Sequence, residues 1–97
     1  MSETVTILPA NIIKLARGVR LRVDDVRGQT VLLAPERAMA VDEIAVTIVN
    51  ALDGERSIDV ICDQFAKDFN APRDLIGGDV LKFVQELANR RMIEVVE

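Results

Sequence analysis

The chain has 97 residues with 12 basic and 16 acidic side chains, a net charge of −4. That is enough for one domain with its own core and little for a second. Histidine is absent and Cys62 is the single cysteine, which removes His-based acid–base or triad chemistry, an internal disulfide and a multi-cysteine zinc site, while the acidic balance argues against affinity that comes from neutralising phosphates.

The apolar runs fall far short of the ~20 residues of a membrane span, and Met1-Ser2-Glu3-Thr4 shows no basic lead into an apolar stretch, so no secretory signal is expected. Residues 1–16 read as an arm or linker. Val5 to Leu8 is extended, Pro9 interrupts it, and Ile12, Ile13 and Leu15 are too apolar for a free tail, so a strap over the domain surface is expected.

From Arg17 the pattern changes. Val19, Leu21 and Val23 alternate with Arg20, Arg22 and Asp24, the period of a strand with one buried and one wet face. Asp25 to Gly28, including Arg27, supplies a turn, and Gln29 to Ala34 a second strand, which together make an antiparallel hairpin. Pro35 ends that strand, because proline cannot donate to a ladder. Ala38 to Val41 is expected to return beside it as a third strand.

Asp42 is a good N-cap, with Glu43 in the first turn of a helix carrying Ile44, Ala45, Ile48, Val49 and Leu52. Asp53-Gly54 is expected to stop it. Ser57 caps a second helix whose buried face is Ile58, Ile61, Cys62, Phe65 and Phe69. A third helix runs from Arg73 to Arg91 on a stripe of Ile76, Val80, Phe83, Val84 and Leu87. Gly77-Gly78 is its weak spot and a possible division into two helices. Met92 to Val96 is a last extended segment.

Strands before helices imply an α+β domain over residues 17–93: a winged helix-turn-helix-like arrangement of a three-stranded antiparallel sheet followed by three helices.

Few residues invite chemistry. Cys62 lies on an apolar helical stripe, where a thiol is an inert small hydrophobe. The adjacent pairs Asp24-Asp25 and Asp42-Glu43 do not converge on one point in a strand or helix, so solvated and capping roles are expected. Arg17, Arg20, Arg22, Arg27, Arg90 and Arg91 leave a DNA-binding winged helix as the alternative function. Against it, Asp74, Asp79 and Glu86 share the candidate recognition helix and would repel phosphates.

The third strand is the most informative feature. In a meander it lies at a sheet edge, and exposed edges are normally guarded by Lys, Pro or inward charge. Ala38, Met39, Ala40 and Val41 carry no guard, and the small residues allow a close backbone approach, as strand addition by an extended peptide requires. Coverage by the N-terminal arm or by a second copy of the chain is the competing explanation. On this reading Met39→Pro removes an edge N–H. Leu81 and Ala88 widen the apolar stripe of the third helix beside Val84, as the wall of a groove would.

Several stretches carry a family resemblance: Arg17-Gly18-Val19-Arg20-Leu21, Val31-Leu32-Leu33-Ala34-Pro35-Glu36, Asp53-Gly54-Glu55-Arg56-Ser57, then Asp79-Val80 and Phe83. In order over about residues 9–93, they resemble the PqqD family of pyrroloquinoline quinone (PQQ) biosynthesis. The resemblance implies a cytoplasmic peptide chaperone without catalysis or cofactor of its own. Its expected partners are the precursor peptide PqqA and the radical SAM enzyme PqqE, which cross-links a Glu and a Tyr of that peptide. Neither nucleic acid nor membrane is an expected partner, and the chain is expected as a monomer or a weak edge-mediated dimer. In such recognition elements the leader adds to the third strand and lies against the third helix. Carried over, the site is Ala38, Met39, Ala40 and Val41, faced by Val80, Leu81, Val84, Gln85 and Ala88. Two departures from relatives are Asp42 where Asn is frequent, a neutral exchange of caps, and the lack of an aromatic in Met92 to Val96.

Overall fold

The computed structural model describes residues 5–26 and 28–96. In chain order the elements are β1 (Ile12–Leu15), β2 (Arg20–Asp24), β3 (Gln29–Ala34), β4 (Arg37–Val41), α1 (Glu43–Ala51), β5 (Asp53–Ser57), α2 (Ile58–Asp68), α3 (Arg73–Asn89) and β6 (Ile93–Val95). The six strands form two antiparallel sheets, ordered β2-β3-β4 and β5-β1-β6.

The α+β class and the three-stranded sheet with three helices match the sequence expectation. The second sheet does not. Residues 12–15, expected in a surface strap, form its central strand, with Ile13 fully buried between β5 and β6. The segment expected only to stop the first helix continues as β5.

The first sheet is a meander. β2 and β3 pair from Arg20↔Leu33 to Asp24↔Gln29, and the turn between them includes Gly28 at φ 63°, a conformation that favours glycine. Arg27, placed in this turn by the sequence pattern, lies outside the described residues. Leu32, at the centre of β3, is fully buried and sits between Leu21 on β2 and Met39 on β4. Directly opposite residues share a face of a sheet, so these three turn toward the core. Arg20, Arg22, Val31, Leu33, Ala38 and Ala40 occupy the outer face. The expected alternation in β2 fades along its length: Val19 is buried and Leu21 half-buried, but Val23 at the far end is exposed.

The helices begin where the caps predict. Asp42 Oδ1 accepts the Ala45 N–H at 2.8 Å, and Ser57 Oγ accepts the Val60 N–H at 3.3 Å. α3 is continuous through Gly77-Gly78. At Gly77 an added Cβ would meet Arg73 Nη1 at 2.6 Å, so the missing side chain leaves room for that guanidinium. Arg73 in turn clamps α3 to α2 through Asp63 (2.6 Å) and Asp59 (2.9 Å). The core joins both sheets to all three helices through Ile13, Leu32, Ile48, Ile58, Ile61, Cys62, Val84, Leu87 and Met92. Cys62 is 1% exposed, and desolvation pushes its thiol pKa up, which disfavours the reactive thiolate.

Candidate functional site

β4 has a neighbour on one side only among the described residues. Its ladder with β3 closes on Ala34↔Arg37 across the two-residue turn Pro35-Glu36. A turn that short makes the closing pair the one that exchanges hydrogen bonds, and pairs alternate from there. Arg37, Met39 and Val41 therefore direct their backbone groups to β3, while Ala38 and Ala40 present theirs to the open edge. The sequence-based choice of Met39 as an edge donor is corrected by this register.

Among the described residues of the N-terminal segment, 5–15, none covers the edge. Residues 12–15 belong to the other sheet, and residues 5–7 are held on α3 by the Gln85 amide. The Ile7 N–H donates to Gln85 Oε1 at 2.8 Å, and Gln85 Nε2 donates to the Val5 carbonyl at 2.7 Å. One side chain thus serves an extended backbone as a neighbouring strand would.

Beside β4 lies a groove of about 330 Å³ floored by Met39, Val41, Ala45 and Ile48 and walled on the α3 side by Asp79 and Phe83. At its far end Arg37 Nη1 donates to the Arg90 carbonyl at 3.3 Å, so the single charged residue of β4 is drawn across to the end of α3. The strand runs from Arg90 at one end of this helix toward Asp79 nearer the other.

The expected site residues therefore divide. Ala38 and Ala40 are exposed at the edge, Met39 is half-buried, and Val41 is buried at 8% exposure. On α3, Val80 is 2% exposed and lines the deeper part of the trough, and Val84 is fully buried in the core. Gln85 is occupied by Val5 and Ile7, and Leu81 and Ala88, one turn to either side, share its flank. The flank that meets β4 is the opposite one, carrying Asp79 and Phe83. Leu81, Gln85 and Ala88 line neither pocket beside β4, whereas Phe83, from the same apolar stripe, lines the groove. Phe83 was visible as an apolar position, and no spacing rule marks Asp79.

Past Ile44 and Ile48 the groove opens into a second pocket of about 360 Å³ among α1, α2 and α3, with Phe65, Phe69 and Ile76 in its wall. No cluster of potential metal ligands occurs among the described residues, and none of their helices is long and apolar enough to cross a membrane. The site is thus a strand edge with an apolar trough, the equipment of a module that binds an extended chain.

The chain belongs to the PqqD family: the model for "Coenzyme PQQ synthesis protein D (PqqD)" matches residues 29–93. It is 60% identical over 96 residues to a PqqA binding protein of Rhizobium meliloti, covering 99% of this chain and 98% of the relative. It is also 34% identical to the bifunctional coenzyme PQQ synthesis protein C/D of Methylorubrum extorquens, covering 96% of this chain and 25% of that longer protein. Its fold superposes with TM-score 0.78 at 35% identity on the solution structure of the PqqD portion of Methylobacterium extorquens PqqCD, described as a functional, stand-alone recognition element for ribosomally synthesised and modified peptides, over 91% of this chain and 94% of that one. The crystal structure of PqqD from Xanthomonas campestris matches with TM-score 0.56 at 39% identity over 79% and 86%.

Proposed function

We propose that this protein is a non-catalytic peptide chaperone of PQQ biosynthesis that binds the precursor peptide PqqA along β4 and presents it to the radical SAM enzyme PqqE in the cytoplasm. The observation that carries the reading is the open backbone of Ala38 and Ala40 beside a trough walled by Phe83 and Asp79. Relatives named for PqqA binding identify the peptide. Strand addition supplies affinity through main-chain hydrogen bonds and register through side-chain pockets, which asks for no cofactor. The winged-helix likeness describes the same frame, with the β2–β3–β4 meander as the wing.

Titration of ¹⁵N-labelled protein with PqqA tests this. Amide shifts are expected to concentrate at residues 37–41 and at Asp79, Val80 and Phe83. The Gln85 flank is expected to move less. Shifts that spare β4 altogether sink the reading. Adding PqqE to the complex is expected to broaden the protein's signals further, and unchanged spectra would remove the presentation step.

A further inference from the structure

The pocket beyond β4 is larger than the core needs and faces outward. Ile44 is 71% exposed and Phe69 59% exposed, although each lies on the apolar side of its helix and has packing partners close by. The pocket shares Ile44, Ile48 and Asp79 with the groove along β4, so the two form one bent trough. Its volume of about 360 Å³ lies at the low end of ligand sites, suited to one bulky group. Glu43 and Asp79 stand at its rim, and neither carboxylate makes an ion pair among the described residues.

Resting on the reading that a peptide adds to β4, we propose that this pocket is an anchor for one large apolar side chain of that peptide, and that Glu43 and Asp79 select a basic residue next to it. The geometry also sets the direction. Every strand pair among the described residues is antiparallel, and antiparallel ladders are the more stable per residue. β4 runs from Arg37 toward Val41, so an antiparallel guest runs from Val41 toward Arg37. The pocket lies beyond Val41. The anchor and its basic neighbour therefore precede the strand-forming stretch in the peptide, and the later residues approach the Arg37 and Arg90 end. The anchor adds apolar burial that the shallow edge lacks, and the charges fix which end of the guest enters.

The test uses the intact protein and PqqA carrying a fluorophore, read by anisotropy. Ile44→Ser and Phe69→Ala, both at exposed positions, are expected to weaken binding at least tenfold while the thermal melt stays within a few degrees. The double change Glu43→Gln with Asp79→Asn is expected to weaken it three- to tenfold at low salt and to flatten its salt dependence. Wild-type protein with PqqA spin-labelled at its N-terminus is expected to lose amide intensity around Ile44 and Phe69, and with a C-terminal label around Arg37 and Arg90. If Ala40→Pro weakens binding but the pocket variants do not, or if the two labels bleach the opposite ends, the anchor is wrong and edge binding stands. If PqqA fails to bind at all, the chaperone reading falls and the anchor with it.

Discussion

The β2-β3-β4 sheet has two edges, and they are built differently. β2 places charge at three of its five positions, Arg20, Arg22 and Asp24. β4 carries one, Arg37, and turns it toward the Arg90 carbonyl. Both strands flank the same buried Leu32, so the difference is not a demand of the core. Charged edges resist pairing with another chain because approach would desolvate the charge. Where one edge of a sheet is guarded and the other bare, the bare one is the functional candidate.

The largest effect should come from removing what both edges share. Leu32→Ala deletes a fully buried side chain and is expected to cost roughly 2–5 kcal/mol, a large part of a domain's stability. Urea unfolding should show the midpoint fall, and a change below about 1 kcal/mol would contradict the central place given to Leu32. Ala40→Pro comes next. It removes an outward N–H without touching the ladder to β3, so PqqA binding should weaken about tenfold, the equivalent of about 1.4 kcal/mol, with the melt little changed. Met39→Pro should unfold the hairpin instead, because that N–H is inward. Stripping the guard from the other edge, with Arg20→Val and Arg22→Val together, should leave PqqA affinity within about twofold but promote self-association visible by sedimentation.

The smallest effect lies away from both edges and serves as a control. The backbone N–H groups of Arg56 and Glu55, then the Arg56 side chain, hold the Asp53 carboxyl at a pKa of about 2, below its usual 3.8. A depressed carboxylate stabilises the fold above the unfolded-state value and loses that contribution as pH falls through the folded one. Wild type should therefore lose slightly more stability than Asp53→Asn between about pH 4 and pH 2, while near neutral pH its advantage is full and the two pH slopes coincide. Equal slopes in the acid range would remove Asp53 from the account.

Much of the frame was legible in residue pattern. The hairpin, both side-chain caps, the buried position of Cys62 and the closing extended segment all sit where local chemistry put them. β5 was not legible because Asp53-Gly54-Glu55-Arg56-Ser57 has neither alternation nor strand formers. It is extended because β1 needs a partner on that side, a tertiary demand that overrides propensity. β1 was hidden for the converse reason: four apolar-rich residues say that they are buried, not what they pair with. At the site, the absence of guards on β4 marked the edge. The facing wall was ambiguous, since an apolar helical stripe has two flanks and periodicity is symmetric about its centre. Only the docking of α3 decides that Asp79 and Phe83 face β4 while Gln85 takes up residues 5–7.

The central position of β1 bears on how the molecule assembles. Its partners β5 and β6 come from the second half of the chain, so this sheet closes the longest loops in the fold, whereas the β2-β3-β4 meander is joined by short turns. Loop closure costs more entropy the farther apart the partners are, and distant contacts form late. The edge proposed to receive the peptide is thus expected to form while β1 still waits for β6, leaving the bare strand open to neighbouring chains before the clasp that steadies it closes.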